Sequence, residues 1–258
     1  ADLVVVKVGT RVLTGEDGRL DRPRIVSLAE ELAELYGTGR RVALVSSGAV
    51  AAGLGRLELT RRPEDLAQLQ AVAAIGQSHL IEAYDRALQQ HGRHAAQLLL
   101  TTDDLNDRTR YLNVRNTLLA LFRYGALPIL NENDTVSVDE LQFSFGDNDR
   151  LAAQVAVTVG ADQLILLSDV DGLYDRDPRE AAARHVGYVS SIDEGIVAMA
   201  GGTQADGVGT GGMATKLAAA RHATARGCPT IIASGRKEYP IGRLLDGARA
   251  TLFAPAQR

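Results

Sequence analysis

The chain holds one cysteine, no tryptophan and five histidines. Cys228 stands alone, so no internal disulfide can form, and the small disulfide-stapled scaffolds of secreted proteins are excluded. Beside Pro229, at the start of an apolar run, it reads as a small buried hydrophobe. None of the histidines falls in an H-E-x-x-H or Cys/His pattern, which excludes the common zinc sites. No apolar run reaches the roughly 20 residues that span a bilayer, and no signal-peptide pattern is visible. A cytoplasmic location with no membrane partner is the expectation. An excess of positive charge is also missing: 28 Lys and Arg stand against 32 Asp and Glu, net −4. That argues against nucleic acid as a partner.

The rest has the proportions of a soluble globular protein, with 45% apolar and 23% charged residues over 258 positions. Short β-branched runs alternate with helical patterns. LVVVKV (Leu3 to Val8), RVALVS (Arg41 to Ser46), HAAQLLL (His94 to Leu100), ALPILN (Ala126 to Asn131), QLILLSD (Gln163 to Asp169) and PTIIAS (Pro229 to Ser234) read as strands. Asp21 and Pro23 open a helix with Ile25, Leu28, Leu32 and Leu35 at helical spacing. Further helices are expected from Pro63 to about Gln90, Asn113 to Tyr124 and Asp149 to Val159. The strands are continuously apolar, so they belong in a mainly parallel sheet buried on both faces. Ligands of such sheets bind at the carboxyl ends of the strands.

Those ends carry the polar residues. In KVGT, Lys7 either snorkels to water or contacts an anion, with Gly9 and Thr10 in the turn. In SSGAVAAG, Ser46 or Ser47 caps the next helix, while Gly48 lets backbone N–H groups approach a ligand. NENDTVS is a plain turn or a site for an ammonium group, and alone the turn is the stronger reading. In FGDND, Asp147 or Asn148 is a cap, and Asp149 has the charge to hold two lysines. Ser168 and Asp169 stand where a base or ribose could be read.

Glycines Gly207, Gly209, Gly211 and Gly212 then run into a helix carrying Lys216. The G-x-G-x-x-G match within them fails. Gly201 and Gly202 break any preceding strand, and Ile232 to Ser234 occupy the place of the required acid. Thr215 rather than glycine precedes the lysine, so the Walker A pattern fails as well. A flexible linker is the bland alternative. Glycines leading abruptly into a lysine-bearing helix favour an anion cradle, since open N–H groups, the helix dipole and a backward-leaning lysine converge there.

These motifs, VVKVGTRVLTG, SSGAVAAG, NENDTVS, FGDND, SDVDGLYDRDP and GTGGMATK, occur in order from Val5 to Lys216. Together they resemble the amino acid kinase family, and within it the members that phosphorylate glutamate. Aspartate, N-acetylglutamate and uridylate kinases share the plan but vary KVGT and GTGGMATK differently. The resemblance implies one domain over residues 1–258, an α/β three-layer αβα sandwich, with ATP mainly over 160–258 and the amino acid mainly over 1–159. It implies Lys7, Lys216 and Asp149 as catalytic residues, the aspartate orienting both lysines. Lys7, Gly9, Thr10, Ser168, Asp169, Thr210, Gly211, Gly212, Met213, Ala214, Thr215 and Lys216 would line the ATP site. Ser47, Gly48, Asn131, Asp134 and Asn148 would hold L-glutamate.

ATP and Mg²⁺ are the implied cofactors, the metal's protein ligands being unassigned. The implied product is L-glutamyl 5-phosphate, in the first step of proline synthesis. The family also implies a homo-oligomer, feedback by proline and hand-off to a glutamyl phosphate reductase. Val136 to Phe145 reads as a lid. Longer members carry a C-terminal PUA domain, and none is expected within these residues. The rival expectations are a sister kinase acting on aspartate or N-acetylglutamate, and a non-catalytic nucleotide-binding regulator.

Overall fold

The structure, a computed structural model, describes residues 2–136, 147–200 and 212–256. Its centre is an eight-stranded sheet in the order β3-β4-β2-β1-β5-β9-β10-β8. These are β1 (Leu3–Val8), β2 (Arg41–Ser46), β3 (Ala95–Leu100), β4 (Leu127–Glu132), β5 (Gln163–Ser168), β8 (Tyr188–Val189), β9 (Thr230–Ser234) and β10 (Ala250–Phe253). A separate hairpin pairs β6 (Leu173–Tyr174) with β7 (His185–Val186). The six strands expected from the sequence all form and run parallel. The short β10 pairs antiparallel with β9, and β8 lies parallel beyond it at the edge. From β1 the chain moves outward to β2 on one side, and β5 lies on the other. The end of β1 is therefore a topological switch point, where an open α/β sheet leaves a crevice.

Side-chain alternation along β1 decides what faces that crevice. Val4, Val6 and Val8 pack with α1 (Thr10–Leu13), α2 (Arg22–Gly37) and α4 (Leu66–Gln89). Leu3 and Val5 pack on the opposite face, with α6 (Arg108–Arg123), α7 (Asp147–Val159) and α9 (Met213–Thr224). Helices α3 (Ala49–Arg56), α5 (Thr102–Asn106), α8 (Glu194–Ala200) and α10 (Pro240–Leu245) complete the set. The two apolar layers on either side of the sheet make the αβα sandwich. With period two, Lys7 shares the face of Leu3 and Val5 and so points toward α7 and α9.

Two capping expectations are corrected. Neither Ser46 nor Ser47 caps α3, because Gly48 is its N-cap, in the left-handed region at φ 105. Helix α7 begins at Asp147 rather than near Asp149, so Asn148 lies inside the helix and its side chain serves tertiary contacts. Helix α6 likewise begins five residues before the expected Asn113, at Arg108, where Asp107 supplies the cap.

Helix α10 has no side-chain cap of its own. Buried Glu31 from α2 supplies one, its Oε2 accepting from the N–H groups of Ile241 (2.7 Å) and Gly242 (2.9 Å). Burial pushes the Glu31 carboxyl up, against the lowering effect of those two bonds. Glu31→Ala should lower unfolding free energy by about 2 kcal/mol, because it strands two N–H donors. Urea denaturation checks this, and an unchanged midpoint would refute it.

Candidate active site

Three charged side chains from distant parts of the chain meet at the end of β1. Lys7 Nζ lies 2.6 Å from Asp149 Oδ1, and Lys216 Nζ lies 3.1 Å from Asp149 Oδ2. The Thr215 hydroxyl adds a hydrogen bond to Oδ2 at 3.0 Å. Asp149 is fully buried, and each lysine is 5% exposed. Burial by itself would raise the Asp149 carboxyl, but the two ammonium groups outweigh it and bring the pKa to about 2. Burial lowers the Lys216 ammonium, with repulsion from Lys7 adding to it and Asp149 opposing it. The cluster thus holds two like charges side by side through one carboxylate.

Around it the sheet edge divides into two regions. On one side, Ser47, Gly48, Asn131, Asp134 and Asn148 line a cavity of about 350 Å³. The four polar side chains are buried, at 2–8% exposure. The turn expected at NENDTVS does form, with Val136 N donating to Asn133 O. It does so while Asn131 and Asp134 face the cavity. Thr10, expected on the nucleotide side, lines this cavity too.

On the other side, Ser168 ends β5 and its hydroxyl bonds Asp169 at 3.1 Å. Gly9 donates to Leu167 O and caps α1; a Cβ on it would stand 3.5 Å from Lys7 Nζ. Gly212 is the N-cap of α9, with no side-chain cap, and Met213, Ala214 and Thr215 form its first turn. Thr210, Gly211 and, of the lid expected over Val136 to Phe145, residues 137–145 lie outside the described residues.

The sequence reading missed several residues. Arg11 pairs with Asp169 at 2.9 Å, and together with Ser168 it holds that carboxyl below its usual range against the effect of burial. Arg62 and Thr14 line the cavity. Gln77 accepts a hydrogen bond from Asn131 Nδ2 at 2.8 Å. The signal for Gln77 was present: it is a polar residue on the stripe of α4 formed by Leu69, Val72, Ala73, Gly76, Leu80 and Tyr84. Arg11 adjoins KVGT but resembles any exposed helix residue.

No group of three or more His, Cys, Asp or Glu among the described residues is placed to hold a metal ion. Asp149 is fully engaged by Lys7, Lys216 and Thr215. Among the described residues, no helix is long and apolar enough to cross a membrane.

The chain is 51% identical over 256 residues to the glutamate 5-kinase of Rhodopirellula baltica, covering 99% of this chain and 66% of that one. It is 49% identical over 253 residues to the glutamate 5-kinase of Pseudomonas savastanoi pv. phaseolicola, covering 97% and 68%. The chain therefore spans about two thirds of the length of these curated relatives. Among solved structures it is similar to a carbamate kinase from Giardia lamblia bound to AMP-PNP, with TM-score 0.68, 19% identity and 99% of both chains covered. A UMP kinase from Ureaplasma parvum gives TM-score 0.63 at 16% identity over 98% of both chains. These two show a shared fold. The family model for amino acid kinases matches residues 2–234, and the chain belongs to the amino acid kinase family.

Proposed function

We propose that this chain transfers the γ-phosphoryl group of ATP to the γ-carboxylate of L-glutamate, giving L-glutamyl 5-phosphate and ADP, the step that opens proline synthesis. The observation that carries the reading is the Lys7–Asp149–Lys216 cluster beside a cavity whose polar lining is one carboxylate, two amides, three hydroxyls and one guanidinium. The names of the curated relatives give the same reaction. Glutamate would occupy the cavity over β1, β2 and β4, within residues 1–159. ATP would lie over β5 and β9, within 160–258, its phosphates at the start of α9.

The acceptor carboxylate, with an ordinary pKa of about 4.3, is already ionised at neutral pH. No general base is needed, and none of the five histidines is placed by the reading. The obstacle is electrostatic, an anion attacking an anion. A carboxylate oxygen forms the new O–P bond as the bond from phosphorus to the β–γ bridging oxygen breaks, and ADP leaves with the electron pair. Lys7 and Lys216 neutralise charge while it shifts between those oxygens. Asp149 keeps both ammonium groups in place. The described residues offer Mg²⁺ no carboxylate cage, so it would enter with ATP, held by phosphate oxygens and water. No step here depends on it.

Cytoplasmic location, a homo-oligomer, proline feedback and delivery to a reductase belong to the same reading. Hydroxylamine trapping of the acyl phosphate tests it, with glutamate, aspartate and N-acetylglutamate offered in turn with ATP and Mg²⁺. Hydroxamate should form with glutamate. Formation with another acid alone would point to a sister kinase, and nucleotide binding without ADP release to a regulator.

A further inference from the structure

The cavity's hydrogen bonds have a direction that can be read from one backbone group. The N–H of Glu132 can only donate, and it bonds the Asn131 side chain at 2.9 Å. The atom it meets is therefore the amide oxygen, Oδ1. Asn131 Nδ2 must then face Gln77, whose Oε1 accepts at 2.8 Å. The Asn148 atom 2.9 Å from Asn131 Oδ1 must be a donor, hence Nδ2. The same Nδ2 lies 2.9 Å from Ser47 Oγ, so Ser47 accepts there. Its own proton is left to donate into the cavity that it lines.

Ser47 stands at the reacting end of that cavity, because its backbone N–H bonds Val8 O, next to Lys7. Asn148 adjoins Asp149 in the chain. A hydroxyl donor at this point suits a carboxylate, either of whose oxygens accepts; an amide can answer it only with its one carbonyl oxygen, which turns its NH₂ group toward the ammonium groups of Lys7 and Lys216 and so disfavours it.

We infer that Gln77 is a positioning residue that braces this relay, whose polarity the Glu132 N–H sets: by accepting from Asn131 Nδ2 it holds Asn131 and Asn148 in place, so that the Ser47 hydroxyl donates to the substrate carboxylate. Gln77 comes from α4 and is not among the residues lining the cavity. Without its acceptor, Asn131 cannot recover by turning over, since Glu132 N–H would then face an NH₂ group. The buried Nδ2 is left unpaired and the relay loosens. The inference rests on the proposed use of glutamate.

The test compares Gln77→Met, which keeps the length but removes the acceptor, with Gln77→Glu, which restores an oxygen there. In Gln77→Met the KM for glutamate should rise about tenfold, the KM for ATP staying within about twofold. The ratio of the inhibition constant of glutamine, used as a competitive inhibitor, to the KM for glutamate should shrink by about the same factor. A merely structural loosening would weaken both ligands together and leave that ratio alone. Gln77→Glu should return it toward the wild-type value. Wild-type KM and ratio in Gln77→Met, or a Gln77→Glu that behaves like it, would overturn the inference.

Neutron diffraction of the wild-type protein needs no variant to fold. Deuterium on the Asn131 atom facing Gln77, and a Ser47 deuterium aimed into the cavity, are expected; oxygen facing Gln77 overturns the inference. A wild type that makes no acyl phosphate from glutamate defeats the functional reading instead, and the neutron map still decides the relay.

Discussion

Asp149→Asn should reduce turnover by roughly two to three orders of magnitude, measured as hydroxamate formed at saturating ATP and glutamate. The substitution is nearly isosteric, so it removes charge rather than volume. In the wild type one carboxylate stands between two ammonium groups, at 2.6 and 3.1 Å, with all three side chains buried. With Asn there, the two lysines face each other uncompensated, and breaking a buried ion pair costs about 3–5 kcal/mol. Shedding a proton relieves that cost. Burial and Lys7 already lower the Lys216 ammonium, while Asp149 and, more weakly, Asp169 oppose them. Without Asp149 the group loses its charge at lower pH, so the residual activity of the variant should begin to fall with rising pH earlier than that of the wild type. Lys216→Ala should lose turnover to a similar degree, and the double variant little more, because the three side chains act as one unit. An Asp149→Asn enzyme with wild-type kcat would refute the assigned role.

The acid limb of stability gives the same residue a second test. The Asp149 pKa falls from 3.8 to about 2 on folding. A carboxyl depressed in this way contributes stability that is complete above about pH 4 and lost as pH drops toward 2. A difference of nearly two units corresponds to roughly 2 kcal/mol. Urea midpoints of the wild type should therefore fall across that window, and those of Asp149→Asn should fall less.

What the sequence disclosed, and what it did not, follows from range. Strands β1, β2, β4 and β5 were legible because burial on both faces leaves apolar runs such as Val4 to Val6 and Leu164 to Leu167; the edge strand β3 was legible from its apolar run although only Leu100 in it is buried, so the expected burial on both faces does not extend to it. Strand β10 was not, since four residues with only Thr251 and Phe253 fully buried resemble any loop. Its partner β9 was needed to define it. The strand-end rule located Lys7, Ser47, Asn131 and Ser168 at one edge. That Lys7 meets Asp149 follows from the parity of β1, which puts Lys7 with Leu3 and Val5 against α7. The capping readings erred through locality. Polar residues just before a helix usually cap it, but Ser46 bonds Tyr84 on α4, and Ser47 and Asn148 bond each other. Gln77 was passed over because its partner lies 54 residues away, on another element.

The second large effect concerns a glycine that touches no ligand. Gly76→Ala should destabilise the protein by about 3 kcal/mol or more, although alanine favours an isolated helix by up to about 1 kcal/mol over glycine. The reason is the packing of α3 against α4. A Cβ at Gly76 would land on the Ala49 carbonyl oxygen and the Gly53 nitrogen, and one at Gly53 on the Val72 carbonyl oxygen. These obstacles are backbone atoms, so no change of rotamer makes room, and the helices must part. Ala49 is the first residue of α3, directly after Gly48, and Gly48 and Ala49 both line the cavity proposed for glutamate. Pushing α3 outward therefore displaces the turn that carries Ser47. The KM for glutamate should rise with the loss of stability, while the KM for ATP, set by the opposite side of β1, changes little. Gly55→Ala, in the same short helix, is the control. Its Cβ would meet only the Arg19 side chain at ordinary contact distance, 3.6 Å. It should lie within about 1 kcal/mol of wild type, on the stabilising side. If urea denaturation found Gly76→Ala as stable as Gly55→Ala, α3 would not owe its position to that backbone contact.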